Sequence, residues 1–187
     1  HKYVYDEIGY NLKPIELQAS IGLAQIEKLD EICSIRKRNH NLLTKAFEKY
    51  EDLFHIPRAT AKSDPNWFAF ATTLKDNCKF KRKDIVQYFE NNKIQTRAYF
   101  AGNIMLQPAY SGIIKTEDVL NNYPVSRKVT TDTFFLGTSP VITEDQVRYI
   151  EKILSTKPSQ AEMELASRPV EGGQWGMRMD NYRKTGF

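Results

Sequence analysis

The stretch EIGYNLKPIELQASIGLAQIEKL (residues 7–29) places Asn11, Lys13 and Pro14 in a turn directly ahead of a run of small and apolar residues. Proline suits the first helical position, because its φ is preset and its missing N–H would have no partner there anyway. Glu16 follows in the first turn, where the helix dipole favours an acid. A helix is therefore expected from Pro14 to about Glu27, with Leu17, Ile21 and Ala24 along it. Ala19, Ser20, Gly22 and Ala24 are small enough for another backbone to come close, so burial on more than one side is expected. Asn11 has two readings on the residues alone. It is a turn or cap residue, or part of an anion site, since the free amides of a helix N-terminus attract phosphate.

Downstream, Leu29, Ile32, Arg36, Leu43, Phe47 and Tyr50 recur at three- and four-residue steps, predicting a second helix that ends near Asp52. Beyond it the pattern shortens. LFHI (53–56) stops at Pro57, and NWFAFATTL (66–74) is aromatic and β-branched, so both read as strands. KRKDIVQYFENNK (81–93) reads as a helix and IQTRAYF (94–100) as a strand. AGNIMLQPAY (101–110) has turn chemistry. A short helix is expected within 121–133 and a strand over 134–137. Thr143 with Gln146 forms a capping box ahead of a final helix. This alternation predicts an α/β fold: a small sheet with helices on one face, an α+β layer over 53–157. Residues 1–52 contribute a short strand (2–5) and the two linking helices. Residues 158–187, with Pro158, Pro169, Gly172, Gly173 and Gly176, read as a flexible extension.

With 41% hydrophobic and 27% charged residues, the 187-residue chain has the composition of a folded domain. Its net charge of +4 is spread among acids, which argues against a nucleic-acid interface. IRKRNH (35–40) reads as a solvated helix face. Cys33 and Cys78 lack CxxC spacing, and His1, His40 and His55 lack ligand spacing, so structural thiols and no metal site are expected. No apolar run approaches the roughly 18 residues of a membrane span, and no signal peptide opens the chain, so a cytoplasmic protein with no membrane contact is expected. The opening His in place of Met implies a piece of a longer or processed protein.

GYNLKPIELQASIGLAQIEKLDE (9–31), with Arg36 and Arg38, resembles the GYN-x-[RK]-x-x-x-x-Q-A segment of the DegT/DnrJ/EryC1/StrS sugar aminotransferase family. KIQTRAYFAGNIMLQPAY (93–110) and KSDPNWFAF (62–70) narrow the likeness. Family aminotransferases carry Pro-Leu-His where this chain has FAGN, and the AGN form resembles the CDP-4-keto-6-deoxyglucose 3-dehydrase branch of lipopolysaccharide biosynthesis. The resemblance spans residues 1 to about 154 and implies the C-terminal part of a fold-type I enzyme.

That resemblance carries several expectations. The cofactor would be pyridoxal or pyridoxamine phosphate, and the substrate a nucleotide-linked 4-keto-6-deoxy sugar that loses its C3 hydroxyl. The enzyme would be a homodimer with shared active sites, and a reductase would supply electrons. The catalytic residue, the pyridinium partner and the branch's iron–sulfur cysteines would all precede residue 1, so this chain alone is expected to be inactive. Asn11 would reach the cofactor phosphate of the other subunit. Tyr10, Lys13, Arg97, Gly102, Asn103 and Gln107 would face the substrate, while Arg97 also reads as an edge-strand charge. Trp67, Phe68 and Phe70 are expected in the core. A plain aminotransferase of the same family, or a non-catalytic truncated module, are the alternatives.

Overall fold

Gln18 starts the first helix from inside: its side-chain oxygen accepts from the Ile15 amide at 3.0 Å, satisfying a donor that the helix cannot. The computed structural model describes Tyr10 and residues 12–100, 102–110 and 112–156. Asn11, the strand expected over 2–5 and the extension over 158–187 lie outside the described residues. The chain divides into two compact units, 1–34 and 35–187.

In the first unit, α1 (Glu16–Ile26) is capped by Ile15, so Pro14 stands just outside the helix and not at its first position. No α1 residue is buried, and Leu17, Ile21, Leu23 and Ile26 are each more than half exposed. The expected burial of this helix is therefore not met within the described residues. Its apolar side chains lie all around the helix, a distribution that no single packing face satisfies.

Helix α2 (Leu29–Glu48) runs across the unit boundary. In the second unit it buries Asn39, His40, Leu43, Ala46 and Phe47. Four strands form an antiparallel sheet in the order β1-β2-β4-β3: β1 (Phe54–His55), β2 (Ala69–Leu74), β3 (Thr96–Ala98) and β4 (Thr133–Gly137). Strand β2 alternates, with Phe70, Thr72 and Leu74 buried and Ala69, Ala71 and Thr73 half-buried. On the buried face, Phe54, Phe70, Phe134 and Leu136 pack with Leu43 and Phe47 of α2. Ile85 and Phe89 of α3 (Arg82–Asn91) and Val147, Ile150 and Ile153 of α6 (Glu144–Ser155) complete this core.

The expected strand over 94–100 shrinks to β3, because Phe100 turns to φ 48° and breaks the extended backbone. The short helix expected within 121–133 is α5 (Pro124–Asp132), and a further helix, α4 (Thr116–Asn122), precedes it. Pro124 opens α5, since it has no N–H with which to continue α4. The cap of α6 is as expected: the Gln146 amide donates to Thr143 Oγ1 at 3.3 Å and the Thr143 amide to Gln146 Oε1 at 2.9 Å.

Candidate functional site

IRKRNH is more than a solvated face. Asn39 and His40 are buried, and the cations beside them have structural tasks. Asn39 Nδ2 donates to the carbonyl oxygens of Ser139 (2.9 Å) and Ile142 (3.1 Å), while its Oδ1 accepts from Arg38 Nε and Nη2. One fully buried amide thus ties the loop between β4 and α6 to α2. His40 lies flat on Trp67, with ring centroids 3.9 Å apart and planes 6° apart. Burial lowers its pKa to about 4, because a charged imidazolium would lose its hydration. Arg36 Nη1 donates to the carbonyls of Phe68 (3.2 Å) and Trp67 (3.5 Å). Only the periodicity of Asn39 and His40 with Leu43 and Phe47 could have flagged their burial.

These contacts pin the segment leading into β2 and leave one ring outside. Phe70 is in the core and Trp67 is half-buried under His40, but Phe68 is 63% exposed, against the expectation of a core residue. Its ring lies 6.0 Å from Phe100, which is 69% exposed, and 6.1 Å from Phe135. Phe135 faces away from the main core by register, yet is only 7% exposed, because Phe68 and Phe100 both lie against it. Arg97 is the β3 partner of Phe135, so both side chains belong to the same sheet face.

The loop after β3 is held in place. The Asn103 amide donates to Thr130 Oγ1 (2.8 Å), and that hydroxyl donates to the Ser126 carbonyl (2.7 Å). Asn103 Oδ1 accepts from the Met105 amide at 3.0 Å and caps a short 3-10 turn that ends at Gln107. Gly102 has φ 60°, and a Cβ there would sit 2.5 Å from Thr130 Oγ1. Only glycine meets both conditions.

Four of the expected site residues, Arg97, Gly102, Asn103 and Gln107, therefore share one segment at the edge of the sheet. Arg97 is exposed and Asn103 has a structural hydrogen bond. Tyr10 and Lys13 are exposed in the first unit. An open cleft of about 440 Å³ lies in the second unit beside Lys75, Lys81, Arg82 and Asp132, and it contains none of the expected site residues. Arg82 lines it, donating to the Thr133 carbonyl with its pKa lowered by burial.

Residues 1–155 match the DegT/DnrJ/EryC1/StrS aminotransferase family. Among curated proteins, the chain is 35% identical over 150 residues to the lipopolysaccharide biosynthesis protein RfbH of Salmonella typhimurium, covering 80% of this chain and 34% of that protein. It is 37% identical over 151 residues to dTDP-4-dehydro-2,6-dideoxy-D-glucose 3-dehydratase of Saccharopolyspora spinosa, covering 80% and 32%. The chain thus spans about a third of the length of these relatives. Among solved structures, the Escherichia coli GDP-4-keto-6-deoxy-D-mannose-3-dehydratase with bound hydrated PLP aligns with a TM-score of 0.67 at 23% identity, over 81% of this chain and 38% of that one. At that identity the likeness shows the fold: a helix-flanked antiparallel sheet of the aminotransferase type.

Proposed function

Since the chain belongs to the DegT/DnrJ/EryC1/StrS aminotransferase family, we propose that it is the C-terminal piece of a pyridoxal- or pyridoxamine-phosphate enzyme acting on a nucleotide-linked 4-keto-6-deoxy sugar. In this reading, residues 1–52 link it to a large domain and residues 53–157 form the small domain. The observation that carries the reading is the 37% identity to a sugar 3-dehydratase across four fifths of the chain.

The reaction we propose is C3 dehydration. The C3 hydroxyl leaves as water, and two electrons with two protons, supplied by a partner reductase, leave hydrogen in its place. The cofactor supplies the electron sink for such chemistry. No catalytic step is assigned to the described residues, and this chain alone is proposed to be inactive. Its part is positioning. Asn11 would hold the cofactor phosphate across a homodimer interface, and Lys13 and Tyr10 would face the substrate. Arg97, Gly102, Asn103 and Gln107 would form a wall of fixed shape, as the Thr130 latch on their loop favours.

Mass spectrometry of the product tests this reading. Full-length enzyme incubated with pyridoxamine phosphate, a reductase and a nucleotide-linked 4-keto-6-deoxy sugar should yield a sugar lighter by one oxygen. An amino sugar would instead establish the transaminase reading, which the family name keeps open. An unchanged sugar under all these conditions would refute both.

A further inference from the structure

Phe100 combines three features that rarely occur together. Its backbone has φ 48°, a region unfavourable to a bulky side chain. The ring is 69% exposed, so burial does not offset that strain. The backbone around it is nevertheless held on both sides: the Phe100 amide donates to the Ala98 carbonyl (2.8 Å), the Gly102 amide to the Tyr99 carbonyl (3.1 Å), and the Asn103 amide to Thr130. Strain kept in an ordered, exposed position points to a functional side chain.

The surroundings define what such a ring would meet. Phe68 stacks beside it with planes 28° apart, and Phe135 backs them both. Together they offer a rigid π surface. Two arginines border this surface: Arg36, its guanidinium carbon 6.0 Å from the Phe68 ring centroid, and Arg97, which shares the sheet face of its strand partner Phe135. Neither has a carboxylate within ion-pair distance among the described residues, whereas the neighbouring Lys37 is paired with Asp64. An aromatic platform edged by uncompensated arginines complements a ligand that is planar at one end and anionic at the other.

We propose that Phe68 and Phe100 form the stacking platform for the nucleobase of a nucleoside diphosphate, with Arg36 and Arg97 placed for its phosphates. This inference rests on the reading that the substrate is a sugar nucleotide, and it assigns base recognition to two rings, Phe68 and Phe100, that are not among the expected site residues.

The test is Phe100→Gly in the full-length enzyme, with Phe68→Ala and Phe100→Trp alongside. Calorimetry would measure the binding of GDP, CDP and dTDP, with pyrophosphate as the phosphate-only probe. Stacking of one base on an aromatic ring corresponds to about 5- to 150-fold in affinity. Phe100→Gly and Phe68→Ala should lose that factor for the preferred nucleoside diphosphate and keep pyrophosphate binding, while Phe100→Trp retains both. Glycine accepts the backbone angle at 100 but uncovers part of Phe135, so the melting temperature of Phe100→Gly is measured beside its affinity to show that the variant is folded. Unchanged nucleotide affinity overturns the platform. So does a lower melting temperature with unchanged affinity, which would mean that the ring packs against another protein segment. Equal losses for pyrophosphate also overturn it. A parent enzyme that binds none of the nucleotides overturns the platform together with the reading beneath it.

Discussion

Lowering the pH from 7 toward 4 places His40 in competition between its stack on Trp67 and a proton. In the folded chain burial holds its pKa at about 4, against 6.5 for the free side chain. The depressed value fixes the sign. Above pH 6.5 the imidazole is neutral in both states and its contribution to stability is complete. Between 6.5 and 4 the unfolded chain takes up a proton that the folded chain refuses, so stability falls with pH. Below 4 both states are protonated and the contribution is gone. A difference of that size corresponds to about 3 kcal/mol in total. Nε2 of His40 is buried with no hydrogen-bond partner among the described residues, so none of them offsets the charge there, and Nδ1 lies 3.4 Å from Thr44 Oγ1. His40→Phe keeps a ring over Trp67 and removes the titration. Urea unfolding of both proteins at pH 7.5 and 4.5 is the assay, and the difference between their pH slopes is the readout, since carboxylates titrate alike in both. The parent should lose roughly 2–3 kcal/mol more than His40→Phe over this interval. Equal slopes would refute the argument, and would mean that water or a local opening reaches the imidazole.

Three further outcomes are expected. Gly102→Ala should displace the loop from Thr130 and destabilise the chain by roughly 1–3 kcal/mol, since it meets both a positive φ and a blocked Cβ position; faster hydrogen exchange at the Asn103 amide would report the lost latch. Asn39→Asp should cost about 2–4 kcal/mol by urea unfolding, because a carboxylate cannot donate to the Ser139 and Ile142 carbonyls; a neutral result would mean that the β4–α6 loop is held otherwise. In the full-length enzyme, Asn11→Ala should weaken cofactor retention about 10- to 150-fold, whereas Lys13→Ala should raise the KM for the sugar nucleotide, and spectroscopic cofactor titration beside steady-state kinetics separates the two.

What sequence alone determined here is local or depends on motif. The capping box at Thr143 and Gln146 announces α6 because both partners lie within one turn. The aromatic and β-branched run over 66–74 announces β2 because such side chains fit a pleated, half-buried surface. The GYNLK and AGN segments carry the family because their residue types and spacing recur as words in the chain. Tertiary structure alone decided which aromatic rings are core and which are surface. Phe68 and Phe70 sit two apart and look alike in sequence, yet Phe68, at a bend just before β2, is 63% exposed and Phe70, within β2, is wholly buried. The difference arises at residues distant in the chain: Arg36 holds the Phe68 carbonyl, and Phe70 pairs with Leu136 of β4. Likewise, nothing local shows that the polar residues Asn39 and His40 are buried. Their burial depends on carbonyls about a hundred positions away and on the ring of Trp67, and those distances close only when the chain folds.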